Sequence, residues 1–62
     1  MKKYYVPSIG TLYQMSLDWF AEKLIDSDGK EILSDEMELN EVAILVFRSG
    51  TGTTKTTVRR IE

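Results

Sequence analysis

The tract Ser49-Gly50-Thr51-Gly52-Thr53-Thr54-Lys55-Thr56 holds the glycines, lysine and hydroxyls from which phosphate-binding loops are made. Such a loop reads G-x-x-x-x-G-K-[ST]: backbone amides curl round a phosphate, the lysine neutralises charge and the hydroxyl holds magnesium. Setting Lys55 and Thr56 on the last two positions puts Thr54 and Ser49 where the glycines must stand. The residues after Thr56 are also too few for the helix whose N-terminus would face the phosphates. A hairpin turn is the reading that fits.

The other chemistry-bearing patterns fail on similar grounds. Asp26-Ser27-Asp28-Gly29 has the look of a calcium loop, but with Gly29 in the sharp-turn position the first ligand falls on Leu24, which has no oxygen to give. The chain has neither His nor Cys, so nucleophile–base pairs of the hydrolase type, thiolate zinc sites and disulfides are all excluded. Its many carboxylates would need a cleft that perturbs their pKa values before they did acid–base work, and a chain this short rarely builds one. No catalytic residue, cofactor or metal site is therefore expected, and the function is expected to be non-enzymatic.

Tyr4-Tyr5-Val6 reads as a short strand that Pro7 confines to a sheet edge or a strand end. The segment from Leu12 to Ile25 carries two competing periods. At helical spacing Leu17, Phe20, Ala21, Leu24 and Ile25 share one face and only Trp19 breaks the pattern; at strand spacing Tyr13, Met15, Leu17, Trp19 and Ala21 share a face and only Phe20 intrudes. Leu, Gln, Met, Ala, Glu and Lys dominate, and β-branched residues are almost absent from Leu12 to Leu24, which favours a helix over about 12–26. Thr11 or Ser16 would cap it, and Asp26-Ser27-Asp28-Gly29 would end it. In the rival reading the same tetrad is a hairpin turn between strands, and the fold is an all-β, five-stranded SH3-like barrel.

Farther on, Lys30 to Leu33 suits a short strand and Ser34-Asp35-Glu36 a single helical turn. Val42-Ala43-Ile44-Leu45-Val46-Phe47 has no polar position on either side, which predicts a central strand buried on both faces. It returns through the glycine-containing turn as a threonine-rich strand, giving a C-terminal hairpin at about 41–48 and 54–61. The expected architecture is a single α+β domain, one helix on a small antiparallel sheet, with Leu17, Phe20, Leu24, Val42, Ile44, Leu45, Val46 and Phe47 in the core. Trp19, the sole tryptophan, is expected to be mostly buried as a core anchor. One helix covers one face of a sheet. The second face of the apolar strand must then be covered by homodimerisation, or by the N-terminal strand or a loop.

At 62 residues the chain buries only about 60% of the surface its unfolded form exposes, so its stability is marginal. Polar residues and Pro7 interrupt the apolar run that a secretory signal would need after Lys2 and Lys3, and no run approaches the roughly 20 residues that span a bilayer. A cytoplasmic location without membrane contact is expected.

Charge is distributed unevenly. Asp18, Glu22, Asp26, Asp28, Glu31, Asp35, Glu36, Glu38 and Glu41 face only Lys23 and Lys30 in the middle of the chain, whereas Lys2, Lys3, Arg48, Lys55, Arg59 and Arg60 outside it face only Glu62. The nine middle carboxylates suggest a protein-interaction module that offers a phosphate-like row to a basic, nucleic-acid-binding protein. Small inhibitors and regulators of phage or mobile-element origin share this size and charge style, a likeness that rests on no shared motif. The blander reading is that the acids keep a small domain soluble. The alternative function is weak nucleic-acid binding by the basic C-terminal hairpin through Arg48, Lys55, Arg59 and Arg60, with Lys55 and Arg59 on one strand face among threonine hydroxyls.

Overall fold

In the computed structural model, which describes all residues Met1–Glu62, the chain forms one helix packed on a six-stranded antiparallel open sheet. The elements are β1 (Lys3–Val6), β2 (Gly10–Tyr13), α1 (Gln14–Phe20), β3 (Ala21–Ile25), β4 (Glu31–Ile32), a single 3-10 turn (Ser34–Glu36), β5 (Val42–Ser49) and β6 (Gly52–Arg60). In space the strands run β2-β1-β6-β5-β3-β4. This is the expected α+β class, with the N-terminal strand, the 3-10 turn, the central apolar strand and the C-terminal hairpin where the sequence places them.

The helix is shorter than the expected 12–26. It ends at Phe20, and Ala21–Ile25 continues as a strand. The two periods in this segment are used one after the other. From Gln14 to Phe20 the chain follows the helical period, with Leu17 buried and Phe20 partly so. From Lys23 to Ile25 it follows the strand period against β5, with Lys23 opposite Val46, Leu24 opposite Leu45 and Ile25 opposite Ile44, after a bulge between Ala21 and Lys23. Helix propensity loses there because β5 needs a second neighbour for its backbone groups, and Ala21–Ile25 supplies it. Neither Thr11 nor Ser16 caps α1; its N-cap position is Tyr13, and no side chain caps it. A bond from Gln14 Nε2 to Ser34 Oγ at 3.1 Å ties the helix start to the 3-10 turn.

Asp26-Ser27-Asp28-Gly29 does not end a helix. It joins β3 to β4, the role given to it in the rival reading. Asp26 Oδ1 accepts from the amides of Asp28 and Lys30 at 3.0 and 2.9 Å, and Gly29 takes the positive φ of 82° that closes the turn. The β5–β6 turn pairs Ser49 with Gly52 across Gly50-Thr51. Gly50 at φ 56°, followed by a residue with negative φ, has the φ signs of a type II′ hairpin, so the glycine-rich tract is a turn.

The core lies on one face of the sheet, under α1 and the segment that carries the 3-10 turn. Tyr4, Val6, Leu24, Ala43, Leu45 and Val58 line that face, Leu17 reaches it from α1, and Met37 from the loop after the 3-10 turn. Phe20 and Phe47 meet edge to face, with ring centroids 5.7 Å apart. Arg60 holds the loop down by donating from Nη1 to the Met37 carbonyl at 2.7 Å. The opposite face has no covering layer, which corrects two expected core positions: Val42 is 47% exposed and Ile44 37%. Val46 on that face is nevertheless buried. It lies in register between Lys23 and Lys55, whose methylene stems can shield it while their ammonium groups stay in water.

Tyr4 is fully buried and donates its hydroxyl to the Ser34 carbonyl at 2.8 Å, joining β1 to the 3-10 turn. Burial raises its pKa above the ordinary 10.0, with Asp18 and Asp35 acting in the same direction and the Ser34 side chain and Arg60 against it. A group whose pKa is raised by folding contributes stability that is complete below its unfolded value and is lost as pH rises through its folded value. Wild type should therefore lose stability above about pH 10, and Tyr4→Phe should lose less over that window. At neutral pH Tyr4→Phe should cost only about 1 kcal/mol, because the Ser34 carbonyl keeps the Met37 amide as a second donor. Urea titrations at neutral and alkaline pH check both statements.

Candidate protein-interaction face

Seven residues of helix place Met15 and Trp19 four positions apart, on one side of α1. Trp19 follows Leu17 by two residues, about 200° around the helix, so when Leu17 enters the core Trp19 must point away from it. Trp19 is 87% exposed and Met15 82%, which corrects the expectation of a buried tryptophan. They line a groove of about 770 Å³ with Tyr13, Met1, Lys2 and Asp18. The signal for this face was in the sequence: Trp19 was the one residue that broke the helical pattern.

This is a concentration of large, exposed, adaptable side chains. Tryptophan, tyrosine and methionine are the types enriched in interface cores, and methionine fits itself to irregular surfaces. Lys3 Nζ sits 5.6 Å from the Tyr13 ring centroid, the two residues being partners across β1 and β2. Asp18 has no ion-pair partner, nor has Asp35 on the 3-10 turn, which packs against α1.

The other carboxylates do not form one row. Glu22 sits at the β3 bulge and pairs with Arg48 at 3.3 Å. Asp26 is engaged in the β3–β4 turn. Glu36 accepts from the Leu33 amide at 2.7 Å, and Glu41 from the Glu38 amide at 2.8 Å. These four therefore have local structural roles. Asp28 is at the β3–β4 turn, Glu31 on edge strand β4 and Glu38 in the loop before β5, all exposed.

The four cations of the C-terminal hairpin divide as well. Arg48 is held by Glu22, and Arg60 donates to the carbonyls of Met37 and Glu62. Lys55 and Arg59 remain exposed on the uncovered sheet face, where the fold adds Lys23 from the acidic middle of the chain and Tyr5 from β1. Nothing in the spacing of Lys23 or Tyr5 signals this meeting; strand order alone produces it. No group of three or more Asp and Glu side chains has the geometry to hold a metal ion, and no helix is long and apolar enough to cross a membrane. No family model, curated protein or solved structure matches this chain.

Proposed function

We propose that the protein is a small non-catalytic interaction module that docks on another protein through the exposed face of α1. The observation that carries this reading is the sole tryptophan standing 87% exposed beside Met15 on a folded helix. Burying either residue would have added to a marginal core, so their exposure has a stability cost for which a partner supplies the compensation. Trp19 acts as the anchor, Met15 and Tyr13 fill the surrounding contact, and Asp18 with Asp35 sets an acidic border. A partner with an apolar pocket edged by basic side chains fits that pattern, as a nucleic-acid-binding protein would, and an inhibitor or regulator of such a protein is the role this supports.

The test is to capture partners from the source cell, purify the one recovered and titrate it against wild type, Trp19→Ser and Asp18→Lys/Asp35→Lys. Loss of affinity in the first and a weaker, salt-dependent association in the second are expected. A partner that binds Trp19→Ser as tightly as wild type would remove this face from the interaction.

A further inference from the structure

We propose that the uncovered face of the sheet binds single-stranded nucleic acid, with phosphates on Lys23, Lys55 and Arg59 and an unpaired base on Tyr5. The register sets these groups in two rows. Lys23, Val46 and Lys55 are neighbours across β3, β5 and β6, and Val42, Arg59 and Tyr5 are neighbours across β5, β6 and β1. Lys55 and Arg59 are four residues apart on one strand, roughly 13 Å along it, with Thr57 between them on the same face. None of the three cations has a carboxylate within ion-pair distance. Glu22 is tied up with Arg48 at one end of β5; Glu31, opposite Ile25 on the short edge strand β4, stands on this face at its margin, outside ion-pair distance of the three cations.

The chemistry of the face selects its occupant. Tyr5 and Val42 flank Arg59, and Ile44 lies between the two rows; they are 40%, 47% and 37% exposed. A second copy docked face to face would set like cations against each other, which disfavours a dimer through this surface. An anion is required, and one that also brings apolar faces. A duplex hides its bases and offers phosphates alone, whereas a single strand offers both phosphates and base faces for stacking on an aromatic ring. The two cations with no local role, Lys55 and Arg59, are thus joined by Lys23 and Tyr5 in place of Arg48 and Arg60.

This proposal uses neither Met15 nor Trp19, which stand on the helix covering the core side of the sheet; only Tyr13, set by its register with Lys3 on the face of Tyr5, borders both sites. Fluorescence anisotropy tests the proposal. Labelled oligo-dT and oligo-U of about 12 nucleotides, a duplex of the same length and a polyglutamate peptide are titrated with the full chain from about 50 mM salt upward. Single strands should bind best, with log K falling against log salt at a slope of about −2, as three phosphate contacts imply. Lys23→Gln/Lys55→Gln/Arg59→Gln should lower affinity at least about tenfold and flatten that slope, and Tyr5→Ser should lower it by about fivefold or more without changing the slope. All four side chains lie at the surface, and circular dichroism confirms that the variants are folded. Trp19→Ser should bind the oligonucleotides like wild type. Silence at about 50 mM salt, equal binding of the duplex, or a triple variant that binds as wild type would overturn the proposal. Equal binding of polyglutamate would assign the face to an acidic protein instead, and loss of binding in Trp19→Ser would move the nucleic acid to α1; either result also overturns it.

Discussion

Leu45→Ala is expected to remove most or all of the protein's stability. Leu45 is fully buried in the middle of β5, between Leu24 on β3 and Thr56 on β6. Truncating such a leucine costs about 3–5 kcal/mol in transfer and cavity terms together. At about 0.05–0.15 kcal/mol per residue, a chain of 62 residues has only about 3–9 kcal/mol in total. Ile44→Ala, one residue away on the same strand, is the control. Ile44 faces the uncovered side, so its loss should come to about 1–2 kcal/mol, from reduced strand propensity and partial burial. Urea or thermal denaturation followed by circular dichroism measures both. Equal losses at the two positions would show that the face carrying Ile44 is packed as firmly as the core, contrary to its exposure.

Trp19→Ser is expected to leave the fold intact and to weaken partner binding by at least about 2 kcal/mol, roughly 30-fold. Its stability should change by no more than about 0.5 kcal/mol, since the side chain stands in solvent and makes no core contact. Separating the two readouts matters here, because a buried anchor would lose stability and binding together. Trp19 is the only tryptophan, so its intrinsic fluorescence reports on this position alone. The emission should be that of a water-exposed indole in the free protein and should shift to the blue when partner binds. A free protein with already blue-shifted emission would place Trp19 in a closed environment and contradict the docking role.

The two faces of the sheet explain why much of the fold was legible and the candidate sites less so. β5 and β6 declared themselves through a continuous apolar run, a glycine turn and β-branched residues, all local signals. The 3-10 turn at Ser34–Glu36 did the same through its acidic helical start. The segment Leu12–Ile25 was not legible in this way, because its residues satisfy a helical and a strand period equally and the choice depends on β5 needing a partner along its free side. The expectation that Val42 and Ile44 are buried failed for a related reason. An all-apolar strand announces that neither face must be wet, but whether a layer exists to cover the second face depends on how much chain remains, and a seven-residue helix covers only one.

The sequence by itself determined the class of the fold, the central hairpin and its turn. It also determined the absence of histidine and cysteine chemistry and the separation of acidic middle from basic ends, because each follows from residue types and neighbours a few positions apart. Tertiary structure alone decided that Trp19 faces water, that Glu22 neutralises Arg48 and that Arg60 turns to the Met37 carbonyl. It alone brought Lys23 and Tyr5 to the face that carries Lys55 and Arg59. Those pairings join residues distant in sequence, and they are fixed by strand order and register, which arise only when the backbone groups of β5 and β6 have found all their partners.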